Sequence, residues 1–313
     1  MQVIVPRARD RFWNRSFPPD NACSRVPFLR VPAMTITETD LHAHEAPAEE
    51  PAAPAPPRIR GVPLAKRRAL VVGASSGIGA ALVSELVRRG YQVAALARRR
   101  EMLEGLAREC SPLAKMSGGA VHVHAHDVHD VDAVPALFEA VARELGGLYL
   151  VIYAAGVMPE VAREEYDTPK DVEMIAVNLS GCVAWCNAAA TFMRSQREGT
   201  IVGISSVAGD RGRKGAPVYG TTKAAMNAYL ESLRNRLAEW GVHVCTIKPG
   251  FIDTAMTRGK PGLFWLISAD ACARTVLSAA RSRANVRYVP RRWRVVGTIL
   301  KCIPSFVFRH LNV

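Results

Sequence analysis

The sequence predicts an α/β protein built as a single doubly wound parallel sheet with helices on both faces. Two observations carry that prediction. Short apolar runs alternate with stretches of helical periodicity between residues 63 and 290, the pattern of parallel strands joined by crossover helices. A glycine-rich turn, Gly73-Ala74-Ser75-Ser76-Gly77-Ile78-Gly79, joins the first apolar run to the first helical stretch, where an open parallel sheet places its ligand turn. Residues 63–290 therefore read as one domain, long enough to bury a large core.

The elements follow in chain order. Residues 1–62 include Pro18-Pro19 and a run from Ala46 to Pro57 made only of Ala, Pro and Glu. Such a stretch buries too little apolar surface to order itself and reads as a disordered extension. Arg7, Arg9, Arg11 and Arg15 precede no continuous apolar segment, which disfavours a secretory leader, and Met34 is an alternative start. The first strand is residues 69–72, Ala-Leu-Val-Val, and the helix after the glycine turn runs on through Val87. A second strand, 91–97, ends at Arg98-Arg99-Arg100, and later strands are expected at 120–126, 148–154, 200–205, 242–247 and 285–289. The right-handed crossover rule brings the glycines, Ser206 and Pro249 to one edge of the sheet, at the carboxyl ends of its strands.

Glycines in the first turn let the backbone bend sharply and approach a ligand, while free N–H groups at the helix start attract a pyrophosphate. About 20 residues further on, a dinucleotide site often presents a carboxylate to the adenosine ribose. This chain presents Arg98 instead. A guanidinium suits a ribose 2′-phosphate that a carboxylate would repel, so NADP(H) is the expected cofactor and NAD(H) the alternative. Arg99 and Arg100 carry no assigned role and read as solvated side chains.

Tyr219 and Lys223 stand four residues apart, a spacing that puts both on one face of a helix. An ammonium beside a phenol of ordinary pKa about 10 favours the phenolate. A tyrosine tuned in this way exchanges a proton with an alcohol or ketone near neutral pH. The pair alone is common on surface helices, and the glycine turn upstream is what gives it weight.

In their order and spacing these residues resemble the short-chain dehydrogenases/reductases of the classical type, over about residues 67–290. The resemblance implies a Rossmann-type fold and interconversion of a carbonyl and an alcohol. It implies that Gly73, Gly77 and Gly79, with Ser75, Ser76 and Ile78 between them, form the pyrophosphate turn. Asp127 and Val128 would contact adenine, and Ala155 and Gly156 would let the cofactor approach closely. Asn178 would support a water relay to Lys223, while Ser206, rather than Ser205, would orient the substrate. Tyr219 would be the general acid/base, Lys223 would lower its pKa and bind the nicotinamide ribose, and Pro249, Gly250, Ile252 and Thr254 would meet the nicotinamide end. Where the family usually has Asn-Asn-Ala-Gly, this chain has Tyr153-Ala154-Ala155-Gly156, and the lost amides are expected to loosen the bracing of the fourth strand. The resemblance also implies a homodimer or homotetramer through the long helices that bear Asn178 and Tyr219.

The formal charge is +13, and residues 281–313 carry eight Lys or Arg with no Asp or Glu. Basic and apolar residues interleave through the tail, 291–313, whose apolar parts are too short to span a bilayer. Two readings stand for it: an interfacial helix with arginines outward and Trp293, Ile299 and Leu300 toward lipid, or a terminal helix packed on the domain or on a partner copy. No nucleic-acid recognition motif accompanies the charge. Together with Gly209-Asp210-Arg211-Gly212-Arg213, the tail more loosely resembles the bacterial subgroup that includes the reductase of decaprenylphosphoryl-2-keto-erythro-pentose. That implies a polyprenyl-phosphate-linked keto-sugar as an alternative substrate. A non-catalytic NADP(H) sensor is the other alternative, although a sensor has no need of a proton relay.

His122, His124 and His126 alternate along the third strand, with His129 nearby. No metal is expected there, because covering helices would leave little room for an ion and no carboxylate or cysteine set completes a site. The cysteines include no Cys-x-x-Cys pair and read as buried thiols of a cytoplasmic protein, peripheral on the inner membrane surface under the interfacial reading of the tail. Phe251, Phe264, Trp265 and Leu266 fall in the loop expected to shape the substrate pocket. The small-molecule or lipid-linked carbonyl that fits it is not named by the sequence.

Overall fold

The computed structural model describes residues 64–162, 164–260 and 262–311, which fall in one compact unit. The expectations for residues 1–62 and for Met34 as a start lie outside the described residues. β1 (Arg68–Val72) buries Ala69, Leu70, Val71 and Val72 completely, and a continuous buried run is what a strand covered on both faces requires. The glycine turn leads into α1 (Gly77–Arg88), followed by β2 (Gln92–Ala97), α2 (Arg100–Ser117), β3 (Ala120–Ala125), α3 (Val134–Leu145) and β4 (Leu150–Tyr153). α4 (Thr168–Ile175) passes through a π-helical turn, Ala176–Ser180, into α5 (Gly181–Gln196). The rest comprises β5 (Gly199–Ile204), α6 (Pro217–Leu237), β6 (Val242–Pro249), the short pair β7 (Ile252–Asp253) and β8 (Ile267–Ser268), α7 (Ala269–Arg281), β9 (Val286–Val289), α8 (Trp293–Cys302) and the last turn α9 (Ser305–Phe308).

The main sheet has the order β3-β2-β1-β4-β5-β6-β9, parallel throughout. In register, Val71 of β1 lies between Ala95 of β2 and Ile152 of β4. From β1 the chain runs outward to β3 and then returns to the other side of β1 with β4. The crevice beyond the carboxyl ends of β1 and β4 is therefore the topological switch point. One apolar layer sets Leu82, Leu86 and Val276 against the sheet, and the other sets Phe138, Trp185 and Leu230 against its opposite face. Each such fully buried side chain contributes about 1.5–3 kcal/mol. By length and composition Thr168–Gln196 is apolar enough to cross a membrane, yet Cys182, Trp185, Cys186, Ala189 and Met193 of this helix pack into the core.

One detail differs from expectation, and another selects between two readings. β3 is an edge strand, half-buried along most of its length, so its histidines are less enclosed than expected. His122 and His124 instead face Glu144 of α3, at 2.8 and 3.2 Å, and His126 meets Trp185 edge-on at 5.5 Å. Among the described residues no group of three or more His, Cys, Asp and Glu gathers as metal ligands.

The other detail is Trp293, which takes the reading of a terminal helix packed on the domain. It turns inward and is only 5 % exposed, seated on Gly250 so closely that a Cβ there would lie 2.0 Å from its Nε1. Its ring stacks on Phe264 at 5.0 Å and meets Phe251 and Trp265 edge-on. The rest of the tail is held to the domain by polar contacts. The buried Asp210 carboxylate accepts hydrogen bonds from Lys248 at 2.6 Å and Tyr288 at 2.8 Å, and Lys301 of α8 stands 3.1 Å away. Arg211 donates to the Lys301 carbonyl and the Ser305 hydroxyl, each at 3.2 Å, and covers the Phe308 ring at 4.7 Å.

Candidate active site

At the carboxyl ends of the strands on the β1–β4 side of the sheet lies a cleft of about 290 Å³. Its walls are the glycine turn, Gly73 to Gly79, with Ser75, Ser76 and Ile78, together with Arg98, Asp127, Val128, Ala155, Gly156 and Thr254. Pro249, Gly250 and Ile252 are not in the lining, and the Ile252 side chain is packed into the core. Gly73 has φ +87°, and a Cβ there would stand 2.4 Å from the Ala155 nitrogen. Only glycine lets the turn after β1 meet the end of β4 in this way. Ser76 starts α1 without capping a backbone N–H, so the N–H groups of the first turn remain available for phosphate oxygens. The cradle thus fits a dinucleotide.

The adenosine end of that cradle holds more than the sequence singled out. Arg98 Nη1 stands 3.4 Å from Asp127 Oδ2. Arg99 also lines the cleft, and its Nη2 donates to Ser75 Oγ at 3.2 Å, tying the end of β2 to the glycine turn. His129 bridges Asp127 Oδ1 at 2.6 Å and Glu173 Oε2 at 2.7 Å. The hydrogen bond to Asp127, then the one to Glu173, raises its pKa above the ordinary imidazole value despite some burial.

Asn178, Ser206, Tyr219 and Lys223 are all buried and come together behind Gly156. Tyr219 lies in the first turn of α6 and Lys223 one turn later, its Nζ 5.8 Å from the phenol ring centre. The ammonium donates to the Ile204 carbonyl at 3.0 Å, and burial lowers its pKa to about 8. Ser206 follows β5; its hydroxyl accepts from the Ala208 N–H at 3.1 Å and lies close enough to Tyr219 to act on the phenol's pKa. The Ser205 hydroxyl donates to the Lys223 carbonyl at 3.1 Å and is occupied there.

The pKa of Tyr219 requires a correction. Its lowering was expected from Lys223, but burial dominates and holds the phenol above its ordinary value. The groups that oppose burial are Ser206, through the hydroxyl it sets beside the phenol, and Arg213, through its charge. Arg213 was visible in the sequence only as part of an arginine-rich loop.

Asn178 sits in the π-helical turn, an irregularity that often marks functional positions. Its Oδ1 accepts from the Val157 N–H at 2.8 Å, and its Nδ2 donates to the Val157 carbonyl at 3.0 Å and to Thr222 Oγ1 at 3.2 Å. It therefore ties the loop after β4 to α6. A Cβ on Gly156 would lie 3.3 Å from Asn178 Oδ1 and 3.5 Å from Lys223 Nζ, so this cleft residue touches both.

Bracing of β4 is retained by another group. Tyr153, fully buried, donates its hydroxyl to the Val177 carbonyl, joining the strand directly to the turn that carries Asn178. Tyr153→Phe leaves that carbonyl without its partner and is expected to cost about 1–3 kcal/mol. Urea unfolding measures the loss, and a fall in kcat beyond it reports displacement of Asn178. Unchanged stability would show that the hydroxyl braces nothing.

The short chain dehydrogenase family model matches residues 67–261, and the chain belongs to this family. It is 34 % identical over 244 residues to an uncharacterized oxidoreductase of Myxococcus xanthus (strain DK1622), covering 77 % of this chain and 94 % of that one. It is also 34 % identical over 194 residues to an uncharacterized oxidoreductase of Staphylococcus aureus (strain USA300), covering 62 % of this chain and 81 % of the relative. Among solved structures, a short-chain type dehydrogenase/reductase from Mycobacterium ulcerans superposes with TM-score 0.67 at 23 % identity, covering 78 % of this chain and 98 % of that one. ElxO with NADP bound superposes with TM-score 0.64 at 22 % identity, covering 72 % and 97 %. The protein is an oxidoreductase with the α/β fold of these structures.

Proposed function

We propose that the protein is an NADP(H)-dependent reductase of a ketone or aldehyde, with Tyr219 as the proton donor. The observation that carries this reading is the buried Tyr219 phenol, with Ser206 beside it and Lys223 one helical turn away, behind a cleft cradled by glycines. When bound there, the nicotinamide supplies the hydride to the carbonyl carbon. Tyr219 gives its proton to the carbonyl oxygen, and Ser206 stabilises the negative charge that develops on it. Lys223 keeps a positive charge beneath the phenol. Asn178 fixes the loop after β4 against α6, so the cleft and the proton donor hold one spacing.

Arg98 and Arg99, both facing the cleft, support the preference for NADP(H), and ElxO, a protein of like fold, has NADP bound. The cytoplasm is the proposed compartment, with a homodimer or homotetramer through α5 and α6 as the assembly. Purified protein is expected to oxidise NADPH in the presence of aliphatic, steroid or keto-sugar carbonyls. Arg98→Ala with Arg99→Ala is expected to raise the KM for NADPH about tenfold or more, one or two charge-assisted hydrogen bonds at about 1.5–3 kcal/mol each, and to leave NADH nearly untouched. Equal use of both cofactors by the unaltered protein would refute the preference, and no turnover across the panel would count against the reductase.

A further inference from the structure

We infer that the outer face of the C-terminal helix docks the protein on an anionic lipid surface. α8 is apolar on two sides. One side is already occupied: Trp293 and Gly297 are buried against the domain, with Val296 and Leu300 half-buried beside them. The other carries Val295, 62 % exposed, and Ile299, 57 % exposed, one turn apart, with Cys302 exposed at the end of the helix; Phe306, 67 % exposed, follows in α9. Inward anchoring by Trp293 and by Arg211 on Phe308 presents this stripe on a helix already formed, so no ordering of the tail is needed on binding.

Charge selects the occupant. Arg291, Arg292, Arg294 and Arg309 are exposed near the stripe, and residues 281–313 contain no Asp or Glu. The carboxylate nearest to α8, Asp210, has 2 % of its side chain exposed and is paired with Lys248 and Lys301, so it offers nothing outward. A second copy of this face would set arginine against arginine in a two-fold interface. A bilayer of anionic phospholipid instead meets the arginines with phosphates and takes the apolar stripe into its interface.

The inference does not depend on the reaction, because binding is read without turnover. Full-length protein is sedimented with vesicles of phosphatidylglycerol and phosphatidylcholine in equal parts, and with phosphatidylcholine alone. It is expected to sediment with the first and not the second, and to be released as salt rises. Arg291→Gln with Arg294→Gln is expected to weaken binding about twenty-fivefold, roughly fivefold for each charge, and Ile299→Asp with Phe306→Asp about tenfold or more. Retained NADPH binding by each variant shows that it is folded. Equal sedimentation with both vesicles, sedimentation with neither, or variants that alter the mass in light scattering while leaving vesicle binding unchanged would each overturn the inference, the last by assigning the stripe to a second copy.

Discussion

Tyr219→Phe is expected to lower kcat for carbonyl reduction by about 10²–10⁴, the range for a positioned general acid, while NADPH binding stays within about twofold, since the change removes one oxygen from a side chain outside the cleft lining. Fluorescence titration of NADPH and steady-state kinetics separate the two effects. A variant that keeps a tenth of the activity would remove Tyr219 as the proton donor. The pH profile adds a second constraint. Burial lowers Lys223 to about 8, so its ammonium is lost as pH rises through that value, and a rate that needs the charge falls on the same limb. Lys223→Arg, which stays charged, is expected to push that limb to higher pH. Lys223→Met is expected to abolish it along with most of the activity.

Asp210→Ala is expected to destabilise the protein by about 3–5 kcal/mol, because it leaves Lys248 as a buried charge without its partner. The double change Asp210→Ala with Lys248→Met removes both charges and is expected to recover much of that loss. Urea unfolding of the three proteins measures the coupling, and equal destabilisation in the single and double variants would show that the ion pair contributes little. Burial acts to raise the Asp210 pKa, but hydrogen bonds from Lys248 and Tyr288 outweigh it and hold the carboxyl below its ordinary value. The stabilisation is therefore present above the unfolded-state value of about 4 and is lost as pH falls through the lower folded-state value. Asp210 follows Ser206 by one short turn, and Lys248 immediately precedes Pro249-Gly250, so the same pair sets the relative position of the segments that follow β5 and β6.

Much of this architecture was legible in residues close together in the chain. Apolar runs bounded by turns marked β1, β2, β4, β5 and β6, because strands covered on both faces are largely apolar. The glycine turn was legible because a sharp bend against a neighbouring backbone admits no side chain at Gly73. Tyr219 and Lys223 were legible because helical spacing alone puts them on one face. The α/β class, the family and the residues that reach the cleft from β1 and β2 needed nothing beyond that.

Other features depend on contacts between residues far apart in sequence, which no local pattern encodes. The edge position of β3 follows from strand order, so the burial of its histidines was misjudged. Tyr153 looked like a lost amide until its hydroxyl was found on Val177, 24 residues away. Asp210 read as one residue of a basic loop, yet its partners come from β6, β9 and α8. Trp293 has the composition of a lipid-facing residue, and only the space above Gly250 turns it inward. Local sequence set which elements form and which face of each is apolar, since those depend on backbone geometry and side-chain period. Tertiary packing set which buried charges pair, which group opposes burial at Tyr219 and which side of α8 stays open, since desolvation and close contact act only once the chain has folded.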